Sequence, residues 1–191
     1  IAFVVVAAVV IVANSKVIER GAKAVTIGSE TYTAADVDYY YYTAYNSFVR
    51  QNSSSLSFLG LDTSKSLKDQ DCQLMEGSTW HDYFTEQAIK TLTSYSMLAQ
   101  KAEESGFVGS EAMDEAVKQT YSDLDTYASA AGITRSQYIK SVCGPLVNEA
   151  VFERNVRLAA LAQAYSVDYV NSLEYSDDEI QAAYDADPKS F

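Results

Sequence analysis

Apolar residues recur every three or four positions along most of the chain, which is the spacing of amphipathic helices that bury one face. This pattern predicts a mostly α fold, a bundle-like lobe of about four to six helices. The segments that carry it are residues 34–50, 80–105, 111–131, 135–143, 146–169 and 177–186. The segment 146–169 is apolar on two sides, and such a helix usually lies at the centre of a bundle.

Short capping motifs mark where these helices begin and end. In a capping box, a Ser or Thr and an acidic or amide residue three positions later bond each other's backbone N–H groups. Such pairs are Thr33 with Asp36, Thr79 with Asp82, Thr134 with Gln137 and Ser176 with Glu179. Pro145 fits the first turn of the helix 146–169, where a missing N–H costs nothing.

The segment 24–32, AVTIGSETY, has a different pattern. Two β-prone pieces lie on either side of Gly28 and Ser29. A Gly-Ser pair in this position predicts a tight turn. We therefore expect the lobe to open with a short β-hairpin.

Residues 1–13 form an uninterrupted apolar run, IAFVVVAAVVIVA. A membrane-spanning helix needs about 20 apolar residues and the core of a signal peptide about 7–15. Because the sequence starts with Ile rather than Met, we expect upstream residues to complete the run. We favour an uncleaved anchor over residues 1–20, since the flank from Val17 to Ala24 can continue the helix and no clear A-x-A pattern follows the apolar run. A signal peptide cut after Ala13 and a buried core segment are the alternatives.

Residues 51–78 are polar and rich in serine. A structureless loop of this length is uncommon in a compact domain. Apolar residues scattered through it are Leu56, Phe58, Leu59, Leu61, Leu67, Leu74 and Met75. We expect the loop to pack over the bundle through these side chains, with disorder as the alternative.

Four consecutive tyrosines, Tyr39 to Tyr42, are the least usual local feature of the sequence. At about 100° per residue their side chains leave a helix in all directions, so they cannot all enter one core. At least one or two of them must meet solvent, a neighbouring segment or a partner.

Charge narrows the classes of partner. The chain has 26 acidic and 14 basic residues, a formal net charge of −12. Such a surface repels phosphate backbones, so no nucleic-acid partner is expected. It attracts basic partners weakly.

No catalytic constellation is found in the sequence. His81 is the only histidine, and its place beside Asp82 near a helix start indicates a surface or capping residue. No EF-hand or phosphate-binding loop occurs, so neither a metal nor a cofactor is expected. Cys72 and Cys143 match no zinc or CxxC pattern. Outside the cytoplasm they could form one disulfide, or they remain two free thiols.

Three stretches carry a resemblance to a known family. They are AVTIGSETYTAADVDYYYYTAYNSF, then TWHDYFTEQAIKTL with LAQKAEESGF, and finally TRSQYIKSVCGPLVNEAVFERNVRLAALAQAY with YSDDEIQAAYDADPKSF. Together they resemble the N-terminal region of extracytoplasmic peptidyl-prolyl isomerases of the SurA and PrsA type, over most of residues 17–191. In the last stretch, Asp178, Glu179, Tyr184 and Phe191 match the helix that leads into the parvulin isomerase domain of these proteins.

This resemblance implies a SurA N-terminal-like helical domain over residues 21–191, which binds unfolded or newly translocated proteins. The anchor at residues 1–20 would tether it to a bacterial cell membrane on the extracytoplasmic side, or the domain is secreted if that segment is cleaved. The parvulin domain is not in the printed sequence, so isomerase activity would belong to residues beyond Phe191. In related proteins a C-terminal segment returns to complete the helical lobe, and the printed sequence does not include it. We expect an exposed apolar strip where that segment would dock, and a homodimer would cover this strip.

Five aromatic residues are the candidates for peptide binding in a groove of this lobe: Tyr40, Tyr42, Phe48, Trp80 and Phe84. Burial in the core is the competing interpretation, and we favour it for Trp80 and Phe84. The alternative function is a membrane-anchored helical interaction domain that binds one specific partner and has no chaperone activity.

Overall fold

Seven α-helices, a short 3₁₀ helix (Leu67–Asp69) and one β-hairpin lie within residues 17–187, which are the residues that the computed structural model describes. The helices are α1 (Val17–Gly21), α2 (Ala34–Gln51), α3 (Trp80–Ser105), α4 (Glu111–Ala130), α5 (Arg135–Cys143), α6 (Glu149–Ser172) and α7 (Asp177–Ala186); the strands are β1 (Lys23–Ile27) and β2 (Glu30–Thr33). The mostly α class with a short N-terminal hairpin is confirmed. The helix count exceeds the expected four to six because the short helix α1 precedes the hairpin.

The predicted anchor falls mainly on residues 1–16, which lie outside the described residues. Within residues 17–187, no helix combines the length and the apolar character that crossing a bilayer requires.

The hairpin closes one side of the lobe. β1 and β2 pair antiparallel, with Thr26 opposite Thr31. Gly28 takes a φ of +59° in the turn, a conformation that glycine adopts without a steric cost. Ile27 and Tyr32 are buried against α2 and α3, so the hairpin is part of the core.

Three clusters of buried side chains form the core. One joins α2, α4, α5 and α6 through Ala35, Val117, Leu124, Ile139, Cys143, Val147, Val151, Phe152 and Val156. A second places the hairpin on α2 and α3 through Ile27, Tyr32, Tyr40, Ala88 and Leu92. The third seats the loop 52–79 on the start of α3 through Leu61, Cys72, Trp80 and Phe84. Cys72 and Cys143 are both free, buried thiols in different clusters, so the disulfide considered from the sequence is not formed.

The predicted start of the helix 146–169 is wrong. Pro145 lies in a turn, and α6 begins only at Glu149, after the side chain of Asn148 accepts a hydrogen bond from the Val151 N–H. Tertiary contacts fix this turn, because the Leu146 N–H donates to Asp38 and the Leu146 carbonyl accepts from Arg20. The same helix also ends later than predicted, at Ser172. The bounds of the other predicted helices agree with the structure to within one residue.

The loop after α2 is ordered by packing and by one glutamine. Leu61 is buried, whereas Phe58 is 85% exposed, so only part of the predicted apolar contact is made. The side chain of Gln70 bonds the backbone of Asp62 twice, at 2.8 and 3.0 Å, and also reaches the Lys65 and Ser66 carbonyls. These hydrogen bonds fix the conformation of the segment 62–70 beside α2 and α3.

Candidate functional site

An open groove of about 630 Å³ lies between α2, the hairpin, the segment 66–68 and the first turns of α3. Its lining is mostly apolar and aromatic, with polar groups between the rings. The lining residues are Ala24, Ala34, Val37, Asp38, Tyr41, Tyr42, Tyr45, Ser66, Leu67, Lys68, His81 and Thr85. We call it the tyrosine groove.

One face of α2 supplies half of this lining. Positions 34, 37, 38, 41, 42 and 45 are separated by three, four, seven, eight and eleven residues from the first, which places them on one side of a helix. The capping box at Thr33 and Asp36 fixes where that helix starts. The rotation of α2 is therefore set at its N-terminus, and with it the direction of the tyrosines.

Tyr41 and His81 meet across the groove. The Tyr41 hydroxyl lies 3.1 Å from His81 Nδ1, and the two rings are 5.3 Å apart between centroids. His81 stands in the first turn of α3, and the Thr85 hydroxyl one turn later donates to the His81 carbonyl. Burial lowers the pKa of His81, and the positive charge of Lys68 lowers it further. The imidazole is therefore neutral at pH 7.

The Tyr41 and Tyr42 hydroxyls of the groove stay protonated at neutral pH, because both have a raised pKa. Burial raises the pKa of Tyr41 to about 12, and burial together with the negative charge of Asp38 raises the pKa of Tyr42. A phenol in this state both donates and accepts hydrogen bonds. The groove thus offers aromatic walls with hydroxyl and imidazole groups that can take part in hydrogen bonds.

The turn between α5 and α6 packs against two residues that line the tyrosine groove. Gly144 has a φ of +111°, and a Cβ at this position would collide with the Asp38 carboxylate and lie 2.7 Å from Tyr42 Cδ2. The same carboxylate accepts a hydrogen bond of 2.9 Å from the Leu146 N–H. Asp38 and Tyr42 are therefore held in place by a turn that only glycine can make here.

The predicted peptide-binding residues separate into two groups. Tyr40 is 3% exposed and Trp80 and Phe84 are fully buried, so these three belong to the core and present no surface to a peptide. Phe48 is half-buried and packs against Trp80, Tyr83 and Phe84. Of the five, only Tyr42 lines the tyrosine groove.

Four consecutive tyrosines on one helix meet four different neighbours. Tyr39 contacts Phe152 on α6, and Tyr40 contacts Tyr95 on α3. Tyr41 contacts His81, and Tyr42 lies against the Gly144 turn. The expectation that they could not share one core is confirmed, because Tyr40 is buried while Tyr41 and Tyr42 line the open groove.

Tyr41, Tyr45 and His81 were missed as site residues in the sequence. His81 was expected at the surface or in a cap, yet it is half-buried with a tyrosine partner forty positions away. The tyrosine spacing offered one usable signal. Tyr41 and Tyr45 are four residues apart, and Tyr42 lies between them in the sequence. On a helix these three positions share one face, so a face that exposes Tyr42 also exposes Tyr41 and Tyr45.

Two other grooves lie on different faces of the described part of the lobe. One of about 480 Å³ runs between α4 and α6 over Tyr39, and one of about 570 Å³ lies between the hairpin, α3 and α6. Across the described part of the chain, no three His, Cys, Asp or Glu side chains come together as metal ligands could. Comparisons with known protein families, with curated proteins and with solved structures found no match.

Proposed function

We propose that this chain is the membrane-tethered, extracytoplasmic lobe of a bacterial protein-folding factor, which binds unfolded or newly translocated polypeptides in the tyrosine groove. The observation that carries the proposal is the groove itself: an open cleft with aromatic walls, and with hydroxyl, imidazole, carboxylate and ammonium groups between the rings. The resemblance to SurA- and PrsA-type proteins supports the same function, and the apolar run at residues 1–13 supports the location.

The groove suits an extended polypeptide for two physical reasons. An unfolded segment exposes a backbone N–H or C=O at every residue, and the hydroxyls of Tyr41 and Tyr42 can accept or donate to either. Rigid aromatic rings bury apolar side chains of many shapes at a low entropic cost. Such a surface binds polypeptide segments with exposed apolar side chains and does not select one amino-acid sequence.

The groove lacks the parts of an active site among the residues described. Its hydroxyl groups are those of Ser66, Thr85 and three tyrosines, and the bond between His81 and Tyr41 joins the imidazole to a phenol whose pKa is raised. A lowered pKa is one of the ways in which a nucleophile is activated, and the pKa of Tyr41 is shifted in the opposite direction. We therefore assign the groove to binding.

An aggregation assay tests this function. The full 191-residue chain is mixed with a chemically unfolded model protein at rising ratios, and light scattering is followed without nucleotide. We expect suppressed aggregation, and we expect Ala24→Trp to weaken it, because Ala24 is an exposed groove residue on β1 and the larger ring fills the cleft.

Ala130→Trp is the matched control, since Ala130 is exposed at the end of α4 and lies outside the three grooves. It should suppress aggregation as well as the unchanged protein does. Absence of suppression, or equal suppression by Ala24→Trp, would overturn the proposal. Tight binding to one native partner without suppression would instead support the single-partner interaction domain.

A further inference from the structure

The chain leaves the body of the lobe within α6. From Val167 to Asp187, every side chain that the structure describes is exposed. The helix α7 has no substantial packing interface with any other helix or strand of the described part. We call residues 167–187 the acidic arm.

Large apolar side chains lie open along this arm. Val167, Val170 and Ile180 are 56, 60 and 56% exposed, and Leu173 and Tyr175 lie exposed between them. Exposed apolar residues are ordinary when they occur singly, but several of them within one unpacked segment indicate an interaction surface. The stability of α7 leads to the same conclusion, because an isolated helix of 10 residues is marginal in water without a packing partner.

The charge of the arm restricts what can cover it. Residues 167–187 contain seven Asp or Glu residues and no Lys, Arg or His. Asp177, Asp178 and Glu179 are accounted for by the start of α7, where negative charge is favourable and Glu179 closes the cap with Ser176. Asp185 lies in the last turn, where the helix dipole disfavours a negative charge, and its carboxylate accepts an exposed hydrogen bond of 2.9 Å from Gln181.

This charge argues against three kinds of occupant. A second copy would bring an equally acidic arm against the first, and nucleic acids and anionic membrane surfaces carry the same sign. A partner with positive charge around an apolar strip satisfies both features at once.

We propose that the acidic arm is a docking surface for a basic amphipathic polypeptide segment, one that carries Lys or Arg beside apolar side chains. The arm is separate from the tyrosine groove, so its function does not depend on the groove binding unfolded chains. Docking would pair the acidic side chains with the basic ones while Val167, Val170 and Ile180 leave water.

Fluorescence anisotropy tests this interaction directly. The probe is a short fluorescein-labelled peptide of leucine and lysine at helical spacing, added to the full chain at several salt concentrations. We expect binding that weakens with salt. The double variant Val170→Ser/Ile180→Ser should weaken it by roughly tenfold or more, because two apolar side chains no longer leave water.

Charge is tested with the triple variant Asp168→Asn/Glu174→Gln/Asp185→Asn, which leaves the cap of α7 intact. It should weaken binding and flatten its salt dependence. The matched controls lie on the body: Met97→Ser, at a side chain 58% exposed on α3, and Asp114→Asn/Glu115→Gln/Asp123→Asn, at exposed positions on α4. Both should bind the peptide as the unchanged protein does.

Three results would overturn the proposal. The first is equal binding by the arm variants and the body controls. The second is equal binding of a peptide in which serine replaces leucine, which would reduce the effect to charge alone. The third is a dimer, seen by sedimentation, that the arm variants abolish while peptide binding persists. Loss of peptide binding with unchanged suppression of aggregation would separate the arm from the groove.

Discussion

The Arg154 guanidinium on α6 donates through both Nε and a terminal nitrogen to one carboxylate oxygen of Asp36, which is 1% exposed at the start of α2. Asn155 Nδ2 donates to the same oxygen at 2.8 Å, and the backbone and hydroxyl of Thr33 donate to the other. One buried carboxylate thus closes the capping box of α2 and joins that helix to α6. The rotation of α2, and with it the tyrosine groove, depends on this junction.

Asp36→Asn should destabilise the fold by about 2 kcal/mol, because the amide loses the charged hydrogen bonds from Arg154 and turns an N–H toward the donors of Thr33. Urea unfolding measures the change. Asp125→Asn is the control, since Asp125 pairs with Arg135 at the surface and its loss should change stability little. Equal stability of the two variants would show that the buried junction contributes nothing.

The stability contributed by Asp36 should disappear in acid. Burial alone would raise the pKa of this carboxyl, but the hydrogen bonds from Arg154, Thr33 and Asn155 outweigh burial and hold the pKa below its ordinary value of 3.8. The folded state then favours the ionised form, so the contribution is complete above the ordinary pKa and is lost as pH falls through the folded-state pKa. The difference in unfolding free energy between the unchanged protein and Asp36→Asn should therefore shrink below about pH 4. A difference that is constant or grows in acid would contradict this account.

Gly144→Ala should destabilise the protein by about 2 kcal/mol or more, since alanine both strains a positive φ and collides with Asp38 and Tyr42. Gly77→Ala is a close control: Gly77 has a φ of +73° with no atom within 4 Å of the added Cβ, so it incurs only the backbone strain of about 1 kcal/mol. Thermal unfolding compares the two. An equal cost would mean that the α5–α6 turn yields without disturbing the groove.

Lys68→Met should raise the pKa of His81 toward 6.5, because removal of the ammonium takes away one of the two causes that lower it. Burial of the ring remains, so the pKa should stay below that value. With a single histidine in the chain, an NMR titration of the imidazole gives an unambiguous curve. Lys65→Met, at an exposed lysine paired with Asp62, is the control and should leave the titration unchanged. No change with Lys68→Met would place the ammonium too far from the ring to act.

The regular elements could be predicted because their signals are local. The capping box of Thr79 and Asp82 and the stop at Gly106 define α3 without reference to the rest of the chain. The start of α6 could not be predicted in the same way, because Pro145 is compatible with a first helical turn. What excludes it from the helix is the pair of bonds that Leu146 makes to Asp38 and Arg20, which are more than a hundred positions away.

The groove was predictable only in part, for the same reason. The run from Tyr39 to Tyr42 shows that some of these rings must leave the core, but not which ones. The answer depends on the rotation of α2, which the contact of Asp36 with Arg154 sets over a separation of 118 residues. Tyr40 therefore enters the core and Tyr42 the groove, although the two have nearly the same sequence context.

Site-specific photo-crosslinking is the most direct test that unfolded polypeptide enters the tyrosine groove. The photoreactive residue p-benzoylphenylalanine replaces Tyr42 in one variant and Tyr127, which is 57% exposed on α4 outside the groove, in the other. Each is irradiated with a reduced and carboxamidomethylated, permanently unfolded protein. We predict crosslinks from position 42, suppressed by Ala24→Trp, and few from position 127. Equal crosslinking from both positions, or none from position 42, would contradict the account.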